Sequence, residues 1–402
     1  MDCTMLLNPL AVEKERPVVE PASCEESLWE SERLSQVPFR VFRGHKGAVN
    51  SCHFCFEDTK ILSCSHDATA RLWDVSRCDP VHVFGDEHQA PISECNLTSD
   101  NKRMVTSSYD KTIKLWDMEC GQVIWSVSLE GLVNSCNISS DGKLVLCALD
   151  VENSLYIIDS ATASKVAFIK DQHLSTITRC CFDPEIQRVC SVSSDRTIKL
   201  WDIKAQHATI TIRNAHSNVI SDCNFTSNGH FLCTASWDKS LKLWDINAGQ
   251  FRHHRPDVLH KVHKGSVSSC AFSDDMSVIV SGGYDKAVVL WDVIAASKKL
   301  VLKGHEDWVL DVSLSSNKKW IVSSSKDSTL RLWNIENYEK IPAVTENFRA
   351  CGSAVAQCEE CKKPFSIMNW DNPDLLNRCV FCRLASPSRT LCPLPSIPDP
   401  ED

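Results

Sequence analysis

Six histidines in this 402-residue chain are each followed by an aspartate 22 residues on and a tryptophan 28 residues on. The sets are His45/Asp67/Trp73, His88/Asp110/Trp116, His173/Asp195/Trp201, His216/Asp238/Trp244, His263/Asp285/Trp291 and His305/Asp327/Trp333. Successive tryptophans stand 42 to 47 residues apart, except for one gap of 85 between Trp116 and Trp201. A unit of that length cannot bury a core by itself, so the period requires stacked neighbours that share their apolar faces. The chain is a repeat array, which points to a binding platform.

The segment from His216 to Asp245 shows what one unit is made of. Ile220 to Phe225 suggests a strand buried on both faces, Thr226-Ser227-Asn228-Gly229 a turn, and His230 to Ser236 a second strand. Trp237-Asp238-Lys239-Ser240 reads as a tight turn and Leu241 to Asp245 as an alternating third strand, with the stretch up to His263 left for a fourth. Four residues before each repeat aspartate stands a hydroxyl: Ser63, Thr106, Ser191, Thr234, Ser281 and Ser323. The arrangement predicts a buried chain in which aspartate accepts from histidine and turn amides, histidine meets the hydroxyl, and the hydroxyl accepts from the tryptophan N–H. Such a chain is stabilising only if every member is satisfied. The 85-residue gap holds a further unit with Glu130, Ala148, Glu152 and Ile158 at the four positions, which predicts a repeat without the polar set and the weakest of the array. Although His, Asp and Ser recur together, six copies tied to a structural tryptophan read as scaffold and not as a hydrolase triad.

The pattern Gly44-His45, Asp67, Leu72-Trp73-Asp74 resembles the WD-repeat family over about residues 37–335. The resemblance implies an all-β fold, a seven-bladed β-propeller of four-stranded sheets around a central channel. It also implies ring closure by residues 37–43, pairing as an outer strand with a last blade built from about residues 308–334, which would hide a sheet edge. The face carrying the loops before first strands and the turns between second and third strands is the one the family commonly offers to partners. His66, Tyr109, Trp237, Tyr284 and Lys326 from the turns, with Trp308 just after His305, are the candidate partner-binding residues. Aromatic side chains suit that role because they bury much area at low entropic cost.

After Asn334 the pattern stops. Cys358 and Cys361 form one C-x2-C pair and Cys379 and Cys382 a second, the spacing of a closed four-thiolate site for one structural zinc ion. Phe365, Ile367, Met368 and Trp370 between the pairs suffice for a mini-core around a metal. The module resembles a zinc ribbon or treble-clef-like finger, with Cys351 and Cys392 as further cysteines nearby. The expected organisation is an acidic disordered segment 1–36, the propeller 37–335, a linker 336–350, the zinc-binding module 351–384 and a disordered Pro-rich tail 385–402.

The chain carries 43 basic and 52 acidic residues, and its acidic excess extends to both termini. No segment is basic, which argues against a protein that grips nucleic acid through phosphates. Without a signal-peptide pattern or a bilayer-length apolar run, an intracellular, chiefly cytoplasmic and alternatively nuclear, monomer off the membrane is expected. Several of the 22 cysteines keep register with the repeat: Cys52, Cys95, Cys180, Cys223 and Cys270 lie seven residues after the histidine, Cys190 and Cys233 five before the aspartate. That placement marks them as small core-filling thiols. The function expected is a non-enzymatic protein–protein interaction scaffold with the zinc module as a second contact. One alternative is a substrate receptor of a cullin-type ubiquitin ligase, from Trp201-Asp202-Ile203-Lys204, where Lys204 replaces the arginine of the adaptor motif. Another is a nucleic-acid or chromatin adaptor acting through Lys362, Lys363, Arg378 and Arg383 of the tail.

Overall fold

The computed structural model describes residues 37–337, apart from 171–172, 206, 247–256, 260–261 and 294, and two short strands, Ala354–Gln357 and Pro364–Ile367. The calls on residues 1–36, on the linker, on Cys358, Cys361, Cys379 and Cys382, and on the Pro-rich tail lie outside the described residues. Ala354–Gln357 pairs antiparallel with Pro364–Ile367 in a unit that begins at Pro342.

Residues 37–337 form a seven-bladed propeller, each blade an antiparallel sheet of four strands. Blade 1 runs Val49–Cys55, Lys60–Ser65, Ala70–Asp74 and Pro80–Phe84. The first strands of blades 2 to 7 are Ile92–Leu97, Val133–Ile138, Ile177–Phe182, Ile220–Phe225, Val267–Phe272 and Val309–Leu314. The outer strand of blade 7 comes from the other end of the chain: Phe39–Arg43 pairs antiparallel with Thr329–Trp333. Phe39 and Phe42 are fully buried, against Trp333 and Trp73 respectively. Arg40 reaches across to blade 1 and donates to the carbonyls of Val75 and Ser76.

The core is divided into seven apolar clusters, one between each pair of adjacent blades. Each repeat tryptophan is buried in the cluster its blade shares with the preceding one; Trp73 lies with Val322, Leu330 and Leu332 of blade 7, Trp116 with Leu62 and Leu72 of blade 1. A blade alone would expose both faces, so burial is complete only in the ring.

All six polar sets form. The histidine Nδ1 lies 2.7–3.1 Å from its aspartate, Nε2 lies 2.8–2.9 Å from the hydroxyl, and the tryptophan Nε1 donates to that hydroxyl at 2.8–3.0 Å. Because the indole can only donate, the hydroxyl spends its own proton on Nε2, so the neutral imidazole carries its proton on Nδ1 and donates to the carboxylate. A second hydroxyl two residues past the aspartate, on Thr69, Thr112, Thr197, Ser240 or Thr329, donates to the same carboxylate at 2.5–2.7 Å. Blade 6 has Ala287 there, and Asp285 turns both oxygens towards His263, at 3.0 and 3.2 Å.

Blade 3 corrects one detail of the sequence reading. Val145 pairs with Ile158, thirteen residues on, where Met104 pairs with Trp116, twelve on, so its turn between second and third strands holds one extra residue. The hydroxyl position therefore falls on Cys147 and not Ala148, which faces blade 4 in another cluster. Cys147 packs with Val145, Leu149, Tyr156 and Ile158, so the polar set is replaced as a unit by apolar contact.

Candidate partner-binding face

In every blade the residue before the aspartate position, at the turn between second and third strands, donates its backbone N–H to the loop entering the first strand. The bonds run His66 to Ala48, Tyr109 to Pro91, Trp237 to Val219, Tyr284 to Ser266 and Lys326 to Trp308. This fixed geometry sets the side chains on one face, at equivalent places in blades 1, 2, 5, 6 and 7, while Asp150 and Ser194 take the place in blades 3 and 4.

Three of the candidates touch in a row. The Trp237 and Tyr284 rings lie 6.1 Å apart at 54°, and Tyr284 stacks on Trp308 at 4.7 Å and 17°. Lys326 closes the row, its Nζ 4.2 Å from the centre of the Trp308 ring, a cation–π contact. Trp237 and Trp308 remain 40% and 41% exposed despite these contacts. Tyr109 is 39% exposed, and His66 is exposed on blade 1. Burial of its phenol pushes the Tyr284 pKa up, with a smaller push from Tyr109. The row therefore spans blades 5, 6 and 7, with Tyr109 in blade 2 within electrostatic reach of Tyr284.

Two features of the channel wall were not anticipated from the sequence. In blades 1 to 6 the second residue of the first strand carries a short polar side chain that donates to a backbone carbonyl of the next blade: Asn50 to Ile92, Ser93 to Val133, Asn134 to Ile177, Thr178 to Ile220, Ser221 to Val267 and Ser268 to Val309, at 2.5–3.3 Å. The belt breaks between blades 7 and 1, where the equivalent residue is Leu310. The signal was present as a small polar residue two places before each in-register cysteine.

One residue further along, the positions are Ser51, Glu94, Ser135, Arg179, Asp222, Ser269 and Asp311. Arg179 lies 3.0 Å from Glu94, 3.1 Å from Asp222 and 3.9 Å from Asp311. The carboxylates also accept backbone N–H bonds from the next blade: Glu94 from Cys136 at 3.0 Å, Asp222 from Cys270 at 2.8 Å and Asp311 from Cys52 at 3.1 Å. Ser269 adds a bond to Asp311 at 2.6 Å. One guanidinium thus ties blades 2, 4, 5 and 7 across the channel. Burial raises the Glu94 pKa to about 7 against the opposing pull of Arg179, and the Asp222 carboxyl is raised for the same reason.

The histidine–aspartate–hydroxyl sets are committed to the scaffold: each imidazole is fully buried, and both ring nitrogens are used. The in-register cysteines are free and buried, as their spacing implied.

Comparison with known proteins agrees with this geometry. The model of the WD domain, G-beta repeat, matches residues 36–74, 78–117, 165–202, 208–245, 257–292 and 296–334, leaving out the blade that lacks the polar set. The chain is 49% identical over 385 residues to the human WD repeat-containing protein 88, covering 94% of this chain and 82% of that protein. It is 28% identical over 169 residues to guanine nucleotide-binding protein subunit beta-1 of Nicotiana tabacum, covering 42% of this chain and 35% of that one. It is also 28% identical over 196 residues to the U5 small nuclear ribonucleoprotein 40 kDa protein of Dictyostelium discoideum, covering 48% and 54% respectively. With six matched repeats on a seven-bladed ring and a relative 49% identical over 94% of this chain, this chain belongs to the WD-repeat family.

Proposed function

We propose that this chain is a non-enzymatic scaffold that holds a partner protein or peptide on the face bearing Trp237, Tyr284 and Trp308, with Lys326 at one end of the row and His66 and Tyr109 on the next two blades, 1 and 2. The observation that carries this reading is the row of three touching rings from three adjacent blades, two of them about two-fifths exposed. Rings held rigid by neighbours can be covered by a partner with little further loss of conformational entropy. The test is affinity purification with mass spectrometry, comparing wild type with Trp237→Ala/Trp308→Ala at matched thermal stability. Loss of specific proteins from the variant supports the face, and an unchanged set of captured proteins overturns it.

The second part of the reading is that Cys358, Cys361, Cys379 and Cys382 hold one structural zinc. The antiparallel pair closes at Gln357 and Pro364, immediately before and shortly after the first cysteine pair, which brings the chain back on itself where a C-x2-C pair would grip a metal. Four thiolates would fill a tetrahedral ion and leave no open position for hydrolysis, so the module would present a surface. Metal analysis of purified chain should find one zinc that Cys358→Ser/Cys361→Ser removes; a chain without zinc after purification under reducing conditions refutes this part alone.

A further inference from the structure

Cys181, Cys190 and Cys223 bring their three sulfur atoms within 4.8 Å of one another at the interface of blades 4 and 5. The triangle is held rigidly. Cys181 and Cys190 are direct cross-strand partners in blade 4, and Cys223 approaches from the first strand of blade 5, its sulfur 3.6 Å from that of Cys181. One side of the triangle is apolar, with Val192, Leu200, Ile220 and Leu232 in the same cluster. The other side is the central channel, where Cys181 and Cys223 line a cavity of about 100 Å³ together with Arg179. Cys181 and Cys223 therefore stand beside the channel, with Cys190 one strand further out.

From this geometry we infer that the three cysteines form a binding site for a soft, thiophilic metal ion, with monovalent copper as the ion that fits. Thiolate sulfur selects soft ions over hard ones. Zinc demands a fourth donor for its tetrahedron, and among the described residues no fourth histidine nitrogen, thiol or carboxylate oxygen joins the three. Monovalent copper is satisfied by three thiolates in a plane. With metal–sulfur bonds of about 2.3 Å, a planar site needs sulfurs about 4.0 Å apart, which shifts of less than about 1 Å would reach from the present spacing. Coordination breaks three S–H bonds, forms three S–Cu bonds and releases three protons, leaving two negative charges on the site. Arg179 lies within electrostatic reach of Cys223 but is already shared by Glu94, Asp222 and Asp311, so the loaded site keeps its negative charge. Burial holds the Cys190 thiol well above its ordinary value, so the free site keeps its protons and copper must displace them.

The test uses the full chain carrying Cys358→Ser, Cys361→Ser, Cys379→Ser and Cys382→Ser, so that the tail thiols take no copper. Anaerobic titration with Cu(I), buffered by a competing Cu(I) chelator, should show one equivalent bound with a thiolate-to-copper charge-transfer band. X-ray absorption should show three sulfur neighbours. Cys181→Ala and Cys223→Ala should each abolish that equivalent, whereas Cys233→Ala/Cys270→Ala, at a neighbouring interface, should retain it. Should either alanine variant fail to fold, Cys190→Val, which keeps apolar volume, supplies the same readout. The inference is overturned if folded variants of the three cysteines still bind the equivalent, if the Cys233/Cys270 variant loses it equally, or if the copper has nitrogen and oxygen neighbours.

Discussion

Arg179→Met removes the single guanidinium shared by Glu94, Asp222 and Asp311 and retains much of the side-chain volume. All three carboxylates are at most 4% exposed, so they recover little solvation from the narrow cavity they line. At an effective dielectric of about 20, a unit-charge pair near 4 Å interacts with about 4 kcal/mol, and the variant exchanges such attractions for repulsion among three anions. Two effects reduce the loss: each carboxylate keeps a backbone N–H donor from the next blade, and Glu94, already raised to about 7, can take up a proton. The expected cost is the range for stranding buried charge, about 3–5 kcal/mol. At roughly 2–4 °C per kcal/mol for a large domain, the midpoint should fall by about 6–20 °C. Thermal and urea unfolding of wild type, Arg179→Met, Glu94→Gln and the double variant form a cycle. In the wild type Glu94→Gln should destabilise; in the Arg179→Met background it should be neutral or stabilising, because it removes one of three stranded charges. A cost below about 1 kcal/mol, or a Glu94→Gln effect of the same sign and size in both backgrounds, would refute the view that Arg179 neutralises the channel.

Ser323→Ala leaves the Trp333 Nε1 and His305 Nε2 without their shared partner and should cost about 1–3 kcal/mol, read from urea unfolding; a cost under a few tenths would show that the set is not cooperative. Acid should loosen the ring in two stages. His45, His88, His216 and His305 are lowered from 6.5, by burial against the opposing pull of their aspartates, so the unfolded chain binds protons first and stability declines as pH falls through about 6.5. Burial alone would raise Asp67, but bonds from His45, Thr69 and the Lys46 N–H outweigh it and hold it below 3.8, which adds a second loss below that pH. Glu94, raised from 4.5 to about 7, has the opposite sign, its contribution being lost as pH rises through that window, so Glu94→Gln should steepen the net acid-side decline in a pH series of unfolding free energies. Deleting residues through Arg43 removes the buried Phe39 and Phe42 and bares the edge of Thr329–Asn334; a concentration-dependent rise in light scattering and a lowered midpoint are expected, and an unchanged midpoint would contradict the closure role.

The architecture was legible because its determinants are local and periodic. A histidine, hydroxyl, aspartate and tryptophan at fixed spacing can be read from one strand pair, and Phe39–Arg43 shows itself as a strand with no blade of its own. Blade 3 was harder, since without the polar set nothing in the sequence marks the residue inserted before Leu155, and the alignment slipped by one from Cys147 to Ala148. The aromatic row was visible as residue types at equivalent turns, although the contacts between rings depend on how adjacent blades sit. Arg179 and its carboxylates could not be paired from sequence: they lie on four different blades, at positions where Ser51, Ser135 and Ser269 are equally acceptable. The trio of cysteines was hidden for the same reason, because Cys181 is one residue out of register with the repeat.

The pairing of Phe39 with Trp333 imposes an order on the birth of the protein. The strand Phe39–Arg43, made before the rest of the propeller, has no partner until nearly all the propeller has been synthesised, and closing so long a loop must precede the contacts that reward it. Until then, the apolar faces of the two terminal blades and the unpaired Phe39–Arg43 segment stay exposed together on the nascent chain, a combination that invites misassembly with neighbouring chains. The chain therefore depends on surviving that interval, and a chaperone that shields the segment around Phe39 and Phe42 would raise the yield of closed rings without changing their final stability.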